Sequence, residues 1–329
     1  MRNLEVTAAS RQVARFAGVL AIVLAASAWA EPGVLVFPAL GTTQKVTISG
    51  RVLKEAPSEG TSVWSRNVRS LTASTWEGAE LEVGYDGQKQ KVVSGEDGAF
   101  EVTFSAQKDH PFVVGRGLAE GRVSGAIGRA PVTIIADDAP FVLISDFDDT
   151  IAVSNVQSKS NALATALFKD AGTHPVVEGM PNWYRCLIND TKSRPGFAVV
   201  SGSPVQFVPR ISGFMAKNDF PVGGLYLRTL SAKTLSDYKQ PIIRALMQRI
   251  PQSVVLVGDS GEHDPEVYKQ IRGEFPGRVL AVYIHDVGKD DDPARFKDMM
   301  LFKDPKSAAA DSVKRGFMSE ACFEKEFKK

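Results

Sequence analysis

The sequence predicts an α/β fold: a doubly wound parallel sheet preceded by a small antiparallel β-sandwich. Three observations predict it. From Gln44 to about Ala136, apolar residues recur with period two between tight-turn signals, the mark of half-buried antiparallel strands. After Pro140, short and wholly apolar runs take over, as in strands covered on both faces. The stretches between those runs are long enough for crossover helices.

In chain order, residues 1–30 carry Arg2, Arg11 and Arg15, then an apolar run from Phe16 to Ala26, then Ala28-Trp29-Ala30 before Glu31. These are the three parts of a secretory signal peptide. The run falls short of the about 20 residues of a bilayer span, so cleavage near Ala30 and export, to a periplasm or the extracellular space, are expected. An uncleaved anchor and a core helix are the alternatives. No later stretch is long and apolar enough to span a membrane.

Residues 31–139 are expected to form the sandwich. Val46, Ile48 and Val52 alternate with polar neighbours. Leu81, Val83 and Tyr85 alternate before Asp86-Gly87, and Phe100, Val102 and Phe104 after Glu96-Asp97-Gly98. Residues 63–76, with Trp64, Val68 and Leu71 near helical spacing, read as a helical excursion or a long loop. Residues 140–288 hold the parallel sheet, with strands expected at 141–145, 197–200, 225–227, 254–257 and 279–284. Helices are expected at 161–169, 180–188, 205–216, 238–249 and 265–273. Residues 289–329 form a charged tail, with helices expected near 293–302 and 308–327.

Composition narrows the function classes. Of 329 residues, 43% are apolar and 23% charged, which argues for a buried core. Lys and Arg total 39 against 38 Asp and Glu, net +1, so no basic excess points to nucleic acid. Removing residues 1–30 takes away three Arg and one Glu and leaves net −1. Cys186 and Cys322 can pair in an oxidising compartment or stay as thiols, and neither is placed like a nucleophile or a zinc ligand.

Chemistry concentrates where strands end. The first parallel strand runs into Asp146-Phe147-Asp148-Asp149-Thr150-Ile151, and ligands of open parallel sheets bind beyond the carboxyl ends of strands. A calcium loop starting at Asp146 fails, because Ile151 stands where the turn needs Gly and Gln157 where it needs a bidentate Glu. A second acidic group, Asp259 to Asp264, follows the fourth strand, and carboxylates from two strand ends can hold one hard divalent cation such as Mg²⁺. Between them Ser201-Gly202-Ser203 offers a hydroxyl and backbone N–H groups at the start of a helix, suited to phosphate oxygens. Lys239 opens the next helix and can add a positive charge.

Taken together, the DxDxT after a strand, the isolated Ser, the Lys and the GDxxxxD resemble the four motifs of the haloacid dehalogenase-like phosphohydrolases. More narrowly, residues 144–151, Ser201 to Pro204, Leu227-Arg228 and residues 256–268 resemble the catalytic domain of the actin-patch type of phosphatidate phosphatase. The resemblance covers about residues 141–287 and implies a Rossmann-like domain with a minimal cap. Val205 departs from it, since relatives usually carry Trp there. By this resemblance Asp146 is the nucleophile and Asp148 the general acid and base. Mg²⁺ is held by Asp146, the Asp148 carbonyl and Asp259, with Asp264 as an outer or water-mediated ligand, and phosphoryl oxygens by Ser201, Gly202 and Lys239. Asp149 is expected to be structural, and Thr150 to fix the turn by local hydrogen bonding. His263 is expected to be exposed or behind the ligands, and His110, His174 and His285 carry no pairing signal. Arg228 reads as a head-group contact or an ordinary ion pair.

Asp146 and Ser201 stand 55 positions apart, and Ser201 and Lys239 38, so neither gap holds a large lid. An open site accepts a bulky phosphomonoester. The resemblance points to phosphatidate, with diacylglycerol as product. Another lipid phosphate, a soluble phosphomonoester, or a catalytically silent envelope-binding protein are the alternatives. Residues 295–303 mix apolar and basic side chains that can rest on a membrane surface, although packing against the core is the preferred use. Nothing in the sequence indicates the oligomeric state.

Overall fold

The computed structural model describes residues 31–56, 74–153, 175–190, 194–229, 236–288 and 292–328. The expected signal segment, most of the 63–76 excursion, the helix expected at 161–169 and His174 lie outside them. Residues 31–329 make one compact unit.

Eight strands form the first sheet: β1 (Gly33–Val36), β2 (Ala39–Thr42), β3 (Lys45–Leu53), β4 (Glu80–Tyr85), β5 (Gln88–Val93), β6 (Ala99–Ser105), β7 (Gly115–Val123) and β8 (Ala126–Ile135). Their order is β1-β3-β2-β8-β7-β4-β5, with β6 also on β3. Pairing is antiparallel except for β2 on β8. The expected sandwich is not confirmed, because all eight strands are laddered into one sheet. The reason lies in β3, whose nine residues pair with β1 and β2 and with β6, while the parallel β2–β8 ladder joins the rest. Side chains draw the two ends of the sheet together: Gln88 Nε2 donates to Ser105 O and Gln90 Nε2 to Thr103 O, each at 3.1 Å. The alternating positions read from the sequence, among them Val46, Ile48, Val83 and Phe104, share one core inside the curve.

The second sheet comprises β9 (Val142–Ser145), β10 (Gly196–Pro204), β11 (Gly224–Arg228), β12 (Val254–Asp259), β13 (Val279–His285) and β14 (Met300–Phe302). Its order is β11-β10-β9-β12-β13-β14, and every pair is parallel. Counted from β9 this is the 3-2-1-4-5-6 order of doubly wound sheets, which reverses between β9 and β12. Successive residues alternate between two cores. Leu143, Val199, Val255 and Tyr283 meet helices α1 (Met180–Asn189), α2 (Val208–Lys217), α5 (Pro305–Lys314) and α6 (Glu320–Phe327). Ile144, Val200, Leu256 and Ile284 meet α3 (Ser236–Arg249) and α4 (Asp264–Glu274). A strand buried on both faces has no polar alternation, which is why these runs read as wholly apolar.

The tail differs from expectation. Instead of a helix at 293–302 there is one 3-10 turn, Pro293–Phe296, and then β14 beside β13. Asp298 at φ 62° ends helical geometry, and a three-residue strand is too short for its period to show. The helix expected at 308–327 is two, α5 and α6, divided at Gly316 (φ 75°) and restarted by Ser319, whose hydroxyl accepts from Cys322 N.

The two sheets share apolar contacts. Leu40 of β2 and Ile135 of β8 lie in the core beneath α3 and α4, and Leu225 N at the β11 edge donates to Pro38 O at 2.9 Å. On the opposite face Cys186 of α1 and Cys322 of α6 form a disulfide with Cα atoms 5.8 Å apart, closing a separation of 136 residues. Arg185–Glu326 at 3.2 Å and Ser319 N on Asp190 Oδ2 at 2.7 Å join the same two elements. Among the described residues no helix is long and apolar enough to cross a membrane.

So long a closed loop makes the disulfide a strong restraint on the unfolded chain. Replacing both cysteines by Ser should lower the free energy of unfolding by about 2–5 kcal/mol. Urea denaturation of the two forms, with and without reductant, measures it; reductant should act only on the parent.

Candidate active site

Four chain segments converge at the carboxyl ends of β9, β10 and β12. Asp146 directly follows β9 and continues its ladder, its N–H donating to Val257 O at 2.9 Å. The chain then turns sharply. Ile151 N and Ala152 N both donate to Phe147 O, and Asp149 sits at φ 54°, a conformation Asp tolerates better than most residues. The expected role of Thr150 is not what forms: its hydroxyl is buried and finds no hydrogen-bond partner among the described residues. What meets this turn is His285, whose Nδ1 lies 2.7 Å from Asp149 O.

Asp148 turns its carboxylate toward β10. Its Oδ2 accepts from Ser201 Oγ at 3.1 Å and Ser203 Oγ at 2.9 Å, and Ser203 N donates to Ser201 Oγ. The loop 201–204 is not the helix start expected from the sequence. It belongs to β10, with a shift of register against β11; a 3-10 turn at Val205–Phe207 follows, and α2 begins only at Val208. Arg228, at the end of β11, donates from Nε to Gly202 O at 2.9 Å and so fixes the loop's central peptide.

Asp259 ends β12, and its Oδ1 accepts from Gly261 N and Glu262 N. Asp264 opens α4 and accepts from Asp259 N through Oδ2 at 3.2 Å. Only glycine fits at 258, where a Cβ would stand 2.7 Å from the Asp264 Cβ. Lys239 of α3 reaches into this group. Its Nζ lies 2.8 Å from Asp146 Oδ1, 2.7 Å from Asp264 Oδ1 and 3.1 Å from Glu262 Oε2.

The arrangement fits a cation. Asp146, Asp259 and Asp264 each offer an oxygen, all within 4.8 Å of one another. Asp146 Oδ2 and Asp259 Oδ2 are buried with no hydrogen-bond partner among the described residues. Two orphaned carboxylate oxygens in the interior are costly unless positive charge meets them. The Asp148 carboxylate is not part of that group; it faces the two serines. Burial is the largest influence on Asp146, Asp148, Asp259 and Asp264. It pushes Asp146, Asp259 and Asp264 above the usual carboxylate range, against the pull of Lys239, and it lifts Asp148 to about 6, helped by the charge of Glu262. Burial alone would lower Lys239, but Asp146, Asp264 and Glu262 outweigh it and hold its pKa well above the ordinary value.

All seven residues singled out in the sequence therefore lie in one neighbourhood. Sequence reasoning left out Ser203, Glu262 and His285 as participants, because a second Ser, an acid in an acidic loop and a lone His carry no spacing signal. It also left out Arg295. Within residues 295–303 Phe296 and Phe302 are buried while Lys297, Leu301 and Lys303 are exposed, and Arg295 Nη1 donates to Ser260 O at 2.6 Å, with Nη2 on Glu262 O, clamping the acidic loop. His263 is exposed.

Residues 141–286 match the family described as "Phosphatidate phosphatase APP1, catalytic domain". Over 150 residues, 43% of this chain and 25% of the relative, the sequence is 34% identical to Phosphatidate phosphatase APP1 of Saccharomyces cerevisiae. It is 26% identical to an uncharacterized protein of Schizosaccharomyces pombe over 201 residues, 57% of this chain and 32% of that one. The chain thus spans a quarter to a third of the length of these relatives. Among solved structures, one titled "Structure of Pnkp1/Rnl/Hen1 complex" shares 18% identity at a TM-score of 0.34, over 46% of this chain and 48% of that one, a likeness too slight to bear on the fold.

Divalent cation binding is testable by stability. Mg²⁺ at about 100 times its dissociation constant should stabilise the fold by about 2.7 kcal/mol, and Asp259→Asn or Asp264→Asn should each remove the gain in a thermal melt. Without the cation, acids whose folded pKa is raised contribute stability at low pH that is lost as they ionise. The melting temperature should therefore fall as pH rises from 3.8 through about 6, and Mg²⁺ should flatten that slope.

Proposed function

We propose that this chain, whose residues 141–286 belong to the phosphatidate phosphatase catalytic-domain family, is an exported, Mg²⁺-dependent phosphomonoester hydrolase acting through an aspartyl-phosphate. The observation that carries the proposal is the meeting of Asp146, Asp259 and Asp264 around Lys239, with the Asp148 carboxylate held apart by two hydroxyls. The domain is of the haloacid dehalogenase-like kind, and the 3-2-1-4-5-6 strand order supports this.

Asp146, Asp259, Asp264 and the Asp148 carbonyl would hold the Mg²⁺. When bound, it offsets the charge of these carboxylates and of the phosphoryl oxygens. An Asp146 carboxylate oxygen bonds to phosphorus as the bond from phosphorus to the ester oxygen breaks. Asp148 gives its proton to that leaving oxygen, and the product is a free alcohol. Asp148, now a carboxylate, takes a proton from water, whose oxygen attacks the same phosphorus and releases Asp146 and inorganic phosphate. A carboxyl poised at about 6 suits both duties near neutral pH. Lys239 neutralises charge on Asp146 and on the phosphoryl group, while Ser201 and the Gly202 N–H orient the phosphoryl oxygens.

Phosphatidate, yielding diacylglycerol, is the proposed substrate, on the strength of the family match. The Cys186–Cys322 disulfide supports export, since such bonds persist in oxidising compartments. Within residues 295–303, Arg295 serves the acidic loop and Phe296 and Phe302 the core, while Lys297, Leu301 and Lys303 face solvent.

Purified protein should release phosphate from a generic aryl phosphate with Mg²⁺ and stop with EDTA, and Asp146→Asn should be inactive; release surviving in that variant removes the nucleophile. In single-turnover release of the leaving group, Asp148→Asn should cost about 10²–10⁴-fold on alkyl phosphates and much less on nitrophenyl phosphate, whose leaving group needs no proton, while steady-state turnover falls on both because the base for the water is lost. Equal single-turnover losses on both would rule out the acid role. A panel of phosphatidate, lysophosphatidate, diacylglycerol pyrophosphate, nucleotides and phosphoproteins ranks the substrates.

A further inference from the structure

A cavity of about 540 Å³ lies between the two sheets, within the range of about 300–1,000 Å³ typical of small-ligand sites. One wall comes from β3 and β6, including Ser49 and Phe100. The other comes from β11 and α3, including Leu225, Leu227, Ile242 and Ala245. One end adjoins the candidate active site. Val205 lines it and directly follows the loop Ser201 to Pro204, and Tyr238 lines it beside Lys239. The other end lies where α3 finishes. There Arg249 pairs with Glu101 at 3.4 Å, and Arg51 with Asp97 at 3.6 Å. From Tyr238 to Arg249 the helix rises about 16 Å at about 1.5 Å per residue.

We propose that this cavity receives the apolar chain of the phosphomonoester whose phosphate is held at the loop 201–203, so that the antiparallel sheet forms one wall of the substrate site. The inference rests on the phosphatase reading and adds to it where the substrate's chain runs and what the first sheet is for. Three observations carry it. The cavity borders the phosphate loop at Val205, which follows Pro204 in the chain, and at Leu227 and Thr229, which flank the Arg228 that binds Gly202 O; Tyr238, next to Lys239, lines the same end. Phe37, Phe100, Leu225, Leu227 and Ile242 give it an apolar lining, beside the hydroxyl residues Thr47, Ser49, Tyr226 and Thr229. At its far end Arg51 pairs with Asp97 and Arg249 with Glu101, with Glu96 beside them. Burial of methylenes, rather than new polar contacts, is then the source of selectivity for long chains.

The test uses the full chain with Mg²⁺ and a series of ethyl, hexyl and dodecyl phosphonates, which phosphomonoester hydrolysis does not consume. Calorimetry should show affinity rising about three- to fourfold per methylene until the cavity is filled. Ala245→Phe and Ser49→Phe fill it from opposite walls, both at half-buried positions. Each should lower the ratio of dodecyl to ethyl affinity at least tenfold, and if one variant does not fold, the other decides. A flat series in the parent, or a ratio preserved in a variant that melts like the parent, overturns the assignment. Phosphate release from the matching alkyl phosphates separates the two readings. Binding that depends on chain length without turnover supports the cavity and refutes the phosphatase, whereas turnover with a flat series refutes the cavity alone.

Discussion

The burial of Lys239 among Asp146, Asp264 and Glu262 is the constraint on which the rest of the site depends. An ammonium group at 3% exposure is tolerable only with its partners in place, and removing one partner of such a group costs about 3–5 kcal/mol. The start of α3 must therefore meet the ends of β9 and β12 and the first residue of α4. That meeting is possible because strand order reverses between β9 and β12, which leaves a crevice where helices on opposite faces diverge. The remaining acidic charge is more than one lysine balances. The same feature that fixes the geometry thus leaves an appetite for a further cation.

Much of this was legible in the chain because its chemistry sits at transitions of texture. Asp146 and Asp259 each end a fully apolar run, and position at a strand end is a property of sequence alone. The five long strands of the second sheet were legible for the same reason. The roles of Ser203, Glu262 and His285 were not, because each depends on a distance across the fold: Ser203 matters through Asp148, 55 residues away, and His285 through the carbonyl of Asp149. The disulfide was undecidable for that reason too. In the first sheet the strands were legible but their assembly was not, since period two marks a strand's faces and is silent about its neighbours; the parallel contact of β2 with β8 has no local sign.

Support for the reactive groups comes from segments that contribute no reactive group. Arg228 holds the peptide of Gly202, His285 holds the turn after Asp148, and Arg295 holds the loop between Asp259 and Asp264. These contacts come from β11, β13 and the tail, so each part of the site is braced by a different element. A carboxylate that must stay within a few tenths of an ångström of its working position gains from such bracing more than from its own backbone.

The hydrogen bond from Leu225 to the Pro38 carbonyl carries a wider meaning for how this protein can be divided. β11 borders the parallel sheet, and a bare border of that kind invites pairing with other chains. The segment around Pro38 blunts that border, and the side chains of Leu40 and Ile135 complete the apolar filling under α3 and α4. Cut off from the first hundred residues, the remainder would bring sticky backbone and unfilled greasy surface into solvent together. The leading half thus caps the open border of the reactive half and completes its apolar filling.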